Sequence, residues 1–287
     1  MGRVTGIEPA FLQWLAEQGK EIISECSTAG GCVADSRKLV LNDGAQLFIK
    51  QLADPAPGLF SAEASGLAAL SEGGTVKTPD VVYQNERCLV LEYIEAATRI
   101  SSFDEHLGRQ LASLHSIRRD FFGFERDTFC GTTRQPNLRS DNGYEFYAQQ
   151  RFSYLARLCF DKGYLSAQDL SAIENICRKL PELIPQQSSV LLHGDLWSGN
   201  VHTDSDGKPV LIDPAVYYGW AEADLAMTAL FGGFSSYFYA AYQEVRPLDT
   251  GWEHRLDLYN LWHLLNHLLL FGESYLSDVK QVIKKYA

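Results

Sequence analysis

The chain has 287 residues, of which 46% are hydrophobic and 21% charged, as is typical of a globular protein with a sizeable core. Its formal net charge of −11 argues against nucleic-acid and anionic-membrane binding, because both begin with the neutralisation of phosphates. The longest apolar run, 258–271, contains two Asn and two His and is too polar and too short to span a bilayer.

The cysteines indicate the compartment. All six are scattered, no C-x-x-C pair occurs, and no basic-then-apolar segment opens the chain. This pattern predicts free thiols in a reducing compartment, the cytoplasm.

The first third of the sequence predicts a small sheet with helices beside it. Pro9 is typical of the first turn of a helix, and Asn42-Asp43-Gly44 between two apolar runs predicts a β-hairpin. The predicted elements are a helix Glu8–Gln18, the hairpin strands Lys38–Leu41 and Gln46–Lys50, a helix Leu59–Leu70, and strands Val81–Tyr83 and Cys88–Tyr93.

After Glu95 the pattern becomes mainly helical. The predicted helices are Phe103–His115 with Ser102 as N-cap, Tyr144–Lys162, Ala167–Leu180, Asp224–Phe231, Ser235–Glu244 and Trp252–Phe271. Only two short β segments are expected here, Val201-His202 and Val210–Ile212. Strands followed by helices predict an α+β protein of two lobes, an amino-terminal lobe of residues 1–93 and a carboxy-terminal lobe of residues 94–287.

The segment 191–200 (Leu-Leu-His-Gly-Asp-Leu-Trp-Ser-Gly-Asn) carries the most information. It offers Asp195 and Asn200 from one loop, and Asp213 follows the next predicted strand. Phosphoryl transfer from ATP needs a carboxylate for the hydroxyl proton, here Asp195, and oxygen ligands for Mg²⁺, here Asn200 and Asp213. The alternative is a turn-rich loop whose Asp and Asn cap backbone groups.

The amino-terminal part contains residues that would complete such a site. Lys50 ends a predicted strand and Glu63 lies on the next helix, so that a carboxylate would hold an ammonium group over the ATP phosphates. The turn Gly30-Gly31-Cys32 would let backbone N–H groups approach phosphate oxygens, and the strand exit Glu92-Tyr93-Ile94 would contact adenine. Each of these features has a simpler alternative. Lys50 would be a solvated strand end, Gly30-Gly31-Cys32 a plain turn, and Glu92-Tyr93-Ile94 an ordinary strand exit.

Three histidines need separate interpretation. His263 and His267 share one helix face at a spacing that zinc sites use, but no Glu follows His263 and the stretch is Leu-rich, which favours a packed helix. His193 lies two residues before Asp195, and we expect it to orient the loop rather than act as the base.

The sequence resembles the fructosamine kinase family, a member of the aminoglycoside-phosphotransferase-like branch of the protein-kinase-like fold. The motifs that carry the resemblance are 192–200, Asp213-Pro214-Ala215, Glu222-x-Asp224-Leu225-Ala226-Met227, Phe60-x-x-Glu63-Ala64-x-Gly66-Leu67, the stretch 107–115, and Gly131-x-Thr133-x-Gln135-Pro136-Asn137. The resemblance covers nearly the whole chain, and the form D-L-W-S-x-N is specific within the branch.

The resemblance implies a bilobal fold and ATP-dependent phosphorylation of O3′ of a ketoamine sugar, followed by release of the amine. It implies that Asp195 is the base, that Asn200 and Asp213 bind Mg²⁺, and that Lys50 contacts ATP. By the same resemblance, Trp197, Gln135 and Asn137 would meet the ketoamine, which is either a small molecule or attached to a protein. Some relatives have a cysteine in the glycine-rich loop, so a redox-sensitive dimer through Cys32 is an alternative to a monomer.

Three other functions compete with this one. A sister kinase of the same fold would act on an aminoglycoside, a choline-like alcohol or a simple sugar. A eukaryotic-type protein kinase is disfavoured, because Pro-Ala rather than Phe-Gly follows Asp213 and no Ala-Pro-Glu follows. A nucleotide-binding scaffold without catalysis is disfavoured because all the candidate catalytic and phosphate-site residues are present: Lys50, Glu63, Asp195, Asn200 and Asp213.

Overall fold

The computed structural model describes residues 6–28 and 34–287, and it confirms the predicted α+β architecture. The first part is a five-stranded antiparallel sheet in the order β1-β2-β3-β5-β4, accompanied by two helices. Its elements are α1 (Pro9–Glu17), β1 (Ile22–Ser27), β2 (Asp35–Leu41), β3 (Gln46–Gln51), α2 (Leu59–Glu72), β4 (Val81–Gln84) and β5 (Cys88–Glu92). The predicted hairpin is β2–β3, with Lys38 opposite Phe48.

The two faces of this sheet are covered by different helices. Successive side chains of a strand point to opposite faces. In β5, Cys88 and Val90 accordingly pack with Phe11 of α1. Leu89 and Leu91 pack with residues of α2 on the other side. Burial on both faces explains why residues 88–91 of β5 are all apolar rather than alternating.

The second part is mainly helical and contains the largest core. Its helices are α3 (Phe103–Leu114), α4 (Gly143–Tyr147), α5 (Tyr154–Asp161), α6 (Ala167–Leu183), α7 (Ala221–Leu230), α8 (Ser236–Val245), α9 (Leu256–Phe271) and α10 (Leu276–Tyr286). Its strands are β6 (Arg118–Arg119), β7 (Thr128–Cys130), β8 (Thr133–Gln135), β9 (Ser189–Leu192), β10 (Val201–Thr203), β11 (Pro209–Leu211) and β12 (Tyr217–Gly219).

The apolar run 258–271 forms most of α9, which lies in this core with Leu261, Leu265 and Leu268 fully buried. Within residues 6–28 and 34–287, no helix combines the length and the apolar character needed to cross a membrane.

Several sequence predictions for this part were wrong. More than two β segments occur: β9 pairs with both β6 and β12, and β7 pairs with β8. These strands have two to four residues, too few for a period to be visible in the sequence. The predicted helix Tyr144–Lys162 contains a π-helical turn, Ala148–Ser153, and the Ser102 side chain makes no capping hydrogen bond to α3. The helix α10 was not predicted.

The predicted boundary between residues 93 and 94 stays a prediction. The sheet ends at Glu92, and the chain beyond it is attached to the β10–β11 hairpin by hydrogen bonds. His202 Nε2 lies 3.0 Å from Ile94 O, and Ala97 N donates to Asp204 O at 3.2 Å.

Candidate active site

The loop that follows β9 is held in place by one buried carboxylate. Asp224 of α7 accepts hydrogen bonds from the backbone N–H groups of His193 (2.7 Å) and Gly194 (2.9 Å), and its Oδ2 lies 3.2 Å from His115 Nε2. Burial by itself would raise the pKa of Asp224, but the hydrogen bond and charge of His115 and the Gly194 N–H leave it below its ordinary value. An ionised Asp224 therefore anchors the loop.

Gly194 is required at its position. Its φ is +81°, and a Cβ there would lie 2.0 Å from the carbonyl oxygen of Ala215. Any other residue would strain the backbone and push the two loops apart. The close approach brings the loop with Asp195 against the segment that follows Asp213.

Asp195 is half-buried in this loop. Burial raises its pKa to about 7, although hydrogen bonds with Cys130 and Asn200 act in the opposite direction. Asn200 Nδ2 donates to the Asp195 backbone oxygen at 2.8 Å, which closes the loop on itself. A carboxylate with a pKa near neutrality can accept a proton from a hydroxyl group more readily than an ordinary aspartate can.

His193 has the orienting geometry expected from the sequence. Its Nε2 lies 3.0 Å from Ile212 O, and its Nδ1 accepts a hydrogen bond from the Asp195 N–H at 3.3 Å. Both ring nitrogens are thus used within the protein, and the ring connects the Asp195 loop to the strand end before Asp213.

Lys50, Glu63 and Asp213 come together. Lys50 Nζ lies 2.7 Å from Glu63 Oε1 and also contacts a carboxylate oxygen of Asp213. Lys50 is 8% exposed. Because a buried charge without a partner is costly, these two carboxylates stabilise its ammonium group. Asp213 has φ +53° and is the single non-glycine residue with positive φ in the described part of the chain. Such strain is common at functional sites.

The predicted adenine contact has less support. Among the backbone groups of Glu92, Tyr93 and Ile94, the Glu92 N–H donates to Asp80 O (2.9 Å) and the Tyr93 N–H to Gln46 O (3.2 Å). Ile94 O lies 3.0 Å from a His202 ring nitrogen. These three backbone groups already have partners within the protein. Adenine binding stays a prediction for the other backbone groups of residues 92–94. Gly30, Gly31 and Cys32 lie outside the described residues.

The three predicted substrate residues differ in their surroundings. Trp197 follows Asp195 closely, is 40% exposed, and meets Phe231 edge to face with 6.4 Å between ring centroids. Its exposure makes it available to a ligand, unlike a core tryptophan.

Gln135 is buried, and neither polar atom of its amide group has a hydrogen-bond partner among the residues that the structure describes. It borders a small pocket that Tyr154 and Trp262 also line, and its role toward the substrate stays a prediction.

Asn137 is committed to internal contacts. Its Nδ2 donates to Arg126 O at 3.1 Å and to Thr128 Oγ1 at 2.9 Å, and its Oδ1 accepts from Arg151 at 2.7 Å. This geometry gives Asn137 a packing role, and its substrate role stays a prediction without structural support.

The sequence interpretation missed two neighbours of Asp195 and one anchor. Cys130 and His263 lie beside Asp195, one ligand atom of each within 4.8 Å of the others. They come from β7 and α9, so no local motif could have joined them. The anchor, Asp224, belongs to the motif Glu222-x-Asp224-Leu225-Ala226-Met227, but its contact with the loop depends on the tertiary structure.

Together, the sheet with its Lys50–Glu63 pair and the helical part with the Asp195 loop define a phosphotransferase of the protein-kinase-like fold. The family model for fructosamine kinase matches residues 9–287. The chain belongs to the fructosamine kinase family.

Individual relatives agree with this assignment. The chain is 35% identical over 291 residues to the chloroplastic protein-ribulosamine 3-kinase of Arabidopsis thaliana, covering 97% of this chain and 88% of the relative. It is 36% identical over 265 residues to a "probable ketoamine kinase" of Synechocystis sp., covering 90% and 88%.

Solved structures give the same result. A "putative fructosamine-3-kinase" from Thermobifida fusca is 34% identical, with a TM-score of 0.87 over 95% of this chain and 96% of the other. A gentamicin-bound aminoglycoside phosphotransferase, APH(2")-IIa, is 15% identical with a TM-score of 0.61 over 98% and 96%, which shows the shared fold alone.

Proposed function

We propose that the protein is an ATP-dependent ketoamine 3-kinase. It transfers the γ-phosphoryl group of ATP to O3′ of a fructosamine or ribulosamine, and the phosphorylated product decomposes and frees the amine. The observation that carries the proposal is the loop 193–200, in which Asp195 with a raised pKa is followed by the exposed Trp197. The names of the relatives supply the substrate class.

Asp195 is the proposed base. Its carboxylate accepts the proton of the acceptor hydroxyl as the new P–O bond forms and the bond from the γ-phosphorus to the departing ADP oxygen breaks, while Asp224 and His193 hold the loop in place. The catalytic contribution of the protein is chiefly positioning and charge stabilisation.

Asn200 and Asp213 fit a Mg²⁺ site. The amide nitrogen of Asn200 is used inside the loop, which leaves its oxygen for a cation, and the Asp213 side chain is 32% exposed. Carboxylate and amide oxygens are hard ligands of the kind that Mg²⁺ prefers. When bound, the cation would neutralise charge on the phosphates, and Lys50, held by Glu63, would contact them.

Trp197 is the proposed sugar contact. An exposed indole face next to the base can cover a sugar ring and exclude water from it. The finer predictions are a ketoamine that is either free or protein-linked, a cytoplasmic location, and a monomer or a dimer through Cys32.

The test is ADP release with Mg-ATP and a panel of acceptors: fructose-lysine, ribulose-lysine, free ribose, choline and kanamycin. We expect turnover with the ketoamines alone, and phosphorus NMR should place the ester on O3′. Asp195→Asn should lose nearly all turnover, whereas Asp206→Asn, a change on the exposed β10–β11 turn, should not. Turnover with kanamycin or choline instead would assign the protein to a sister activity.

A further inference from the structure

Three side chains from distant parts of the chain meet beside the proposed base. Cys130 ends β7, Asp195 lies in the loop after β9, and His263 lies on α9. A sulfur, a carboxylate oxygen and an imidazole nitrogen from these residues lie within 4.8 Å of one another. Cys130 and His263 are each 4% exposed, while Asp195 keeps contact with solvent.

One nitrogen of this imidazole lacks a partner. His263 Nδ1 is buried and has no hydrogen bond within residues 6–28 and 34–287. His267, one turn along the helix, does not use this atom, because its own Nδ1 contacts the His263 backbone oxygen at 2.7 Å. A buried polar atom without a partner is costly. The same imidazole contributes a nitrogen to the cluster with the thiol and the carboxylate, and together these two observations indicate a ligand for the three side chains.

The donor set selects the kind of ligand. One sulfur, one nitrogen and one oxygen are the atoms with which proteins bind Zn²⁺ at about 2.0–2.3 Å, and three protein ligands with an open fourth position form a common zinc arrangement. Around one tetrahedral ion the ligand atoms would be about 3.3–3.7 Å apart, so a side-chain movement of about 1 Å would close the site.

We propose that Cys130, Asp195 and His263 form an inhibitory site for a thiophilic divalent cation, with Zn²⁺ as the probe. The site is chemically different from the proposed Mg²⁺ site, because Asn200 and Asp213 offer only oxygen atoms, whereas a thiol and an imidazole select softer metals. A cation held here occupies the Asp195 carboxylate and keeps it from the acceptor hydroxyl. The inhibition rests on the proposed function, but the binding of the metal does not.

Binding is tested first, by titration of the full chain with Co²⁺, whose visible bands report tetrahedral geometry and whose near-ultraviolet band reports a thiolate ligand. We expect both sets of bands in the unmodified protein. Cys130→Ser should lose the thiolate band, and His263→Asn should weaken binding at least tenfold. Cys159→Ser is the matched control, because Cys159 is also buried in this core but lies outside the cluster, and it should keep both sets of bands.

Inhibition is tested second, with each variant compared with its own rate without Zn²⁺. We expect Zn²⁺ to compete with the ketoamine and not with ATP, and its half-inhibitory concentration should rise at least tenfold in Cys130→Ser and in Cys130→Ala. Thermal unfolding checks that the variants fold. Absence of a cobalt–thiolate band, or equal zinc sensitivity in Cys130→Ser and Cys159→Ser, would overturn the proposal. Since cobalt binding needs no turnover, a protein without ketoamine activity would still give a valid answer about the metal.

Discussion

Asp195→Asn should abolish turnover and at the same time stabilise the fold. In the folded protein, burial raises the pKa of Asp195 from 3.8 to about 7. Above pH 4 the carboxylate is ionised in the unfolded chain but resists ionisation in the folded one, so its presence destabilises the protein progressively up to pH 7. An amide of the same shape carries no such cost.

The magnitude follows from the shift. Three pKa units correspond to about 4 kcal/mol, because each unit is worth about 1.4 kcal/mol. Asp195 is half-buried rather than sealed, and solvent screening reduces this value. We therefore expect the free energy of unfolding of Asp195→Asn to exceed that of the unmodified protein by about 2 kcal/mol at pH 8, and by less than half of that at pH 5.

The assay is urea denaturation at both pH values, read by tryptophan fluorescence. The control is Asp206→Asn, which removes an exposed carboxylate from the β10–β11 turn and should change stability little at either pH. A gain that is equal at pH 5 and pH 8, or no gain at pH 8, would refute the argument that burial strains this carboxylate. Retained turnover in Asp195→Asn would separately refute its role as base.

Four further substitutions test other parts of the site and its support. Lys50→Met should raise the KM for ATP at least tenfold, with a smaller effect from Glu63→Gln, as measured by steady-state kinetics at varied ATP. Asp224→Asn should lower the free energy of unfolding by about 1–3 kcal/mol and lower kcat, because one buried backbone N–H of the loop loses its acceptor; kcat unaffected by this change would exclude a positioning role. Gly108→Ala should lower the free energy of unfolding by about 1–3 kcal/mol, because the new Cβ would lie 2.3 Å from the Phe238 carbonyl oxygen at the α3–α8 contact; a stability equal to that of the unmodified protein would show that these helices separate without cost.

The sequence predicted the elements whose pattern is long or carries a strong turn signal. The hairpin around Asn42-Asp43-Gly44 and the helix Phe103–His115 are present close to the predicted bounds. The resemblance to the family was also visible in the sequence, because the residues of the loop 192–200 that carry it are contiguous. When the functional residues lie in one continuous loop, their spacing in the sequence is enough to predict the chemistry.

The tertiary structure decided what contiguous sequence does not encode. The strands β6, β9 and β12 are two to four residues long and are stable only through partners far along the chain. The contact of Lys50 with Asp213, the anchoring of the loop by Asp224, and the meeting of Cys130 with His263 likewise join distant residues. Each of these contacts depends on how helices and sheet pack, and a one-dimensional pattern carries no signal for the distance between two side chains on different elements.

The solvent exposure of individual side chains was also decided by the tertiary structure. Trp197 and Trp220 are the same residue type in neighbouring segments, yet Trp197 is 40% exposed and Trp220 is 1% exposed and stacked on Tyr147 at 4.5 Å. The sequence determined which residues this protein has available for phosphoryl transfer. The packing of the core determined which of them reach solvent, which hold a loop, and which meet beside Asp195, because burial is a property of the whole folded chain.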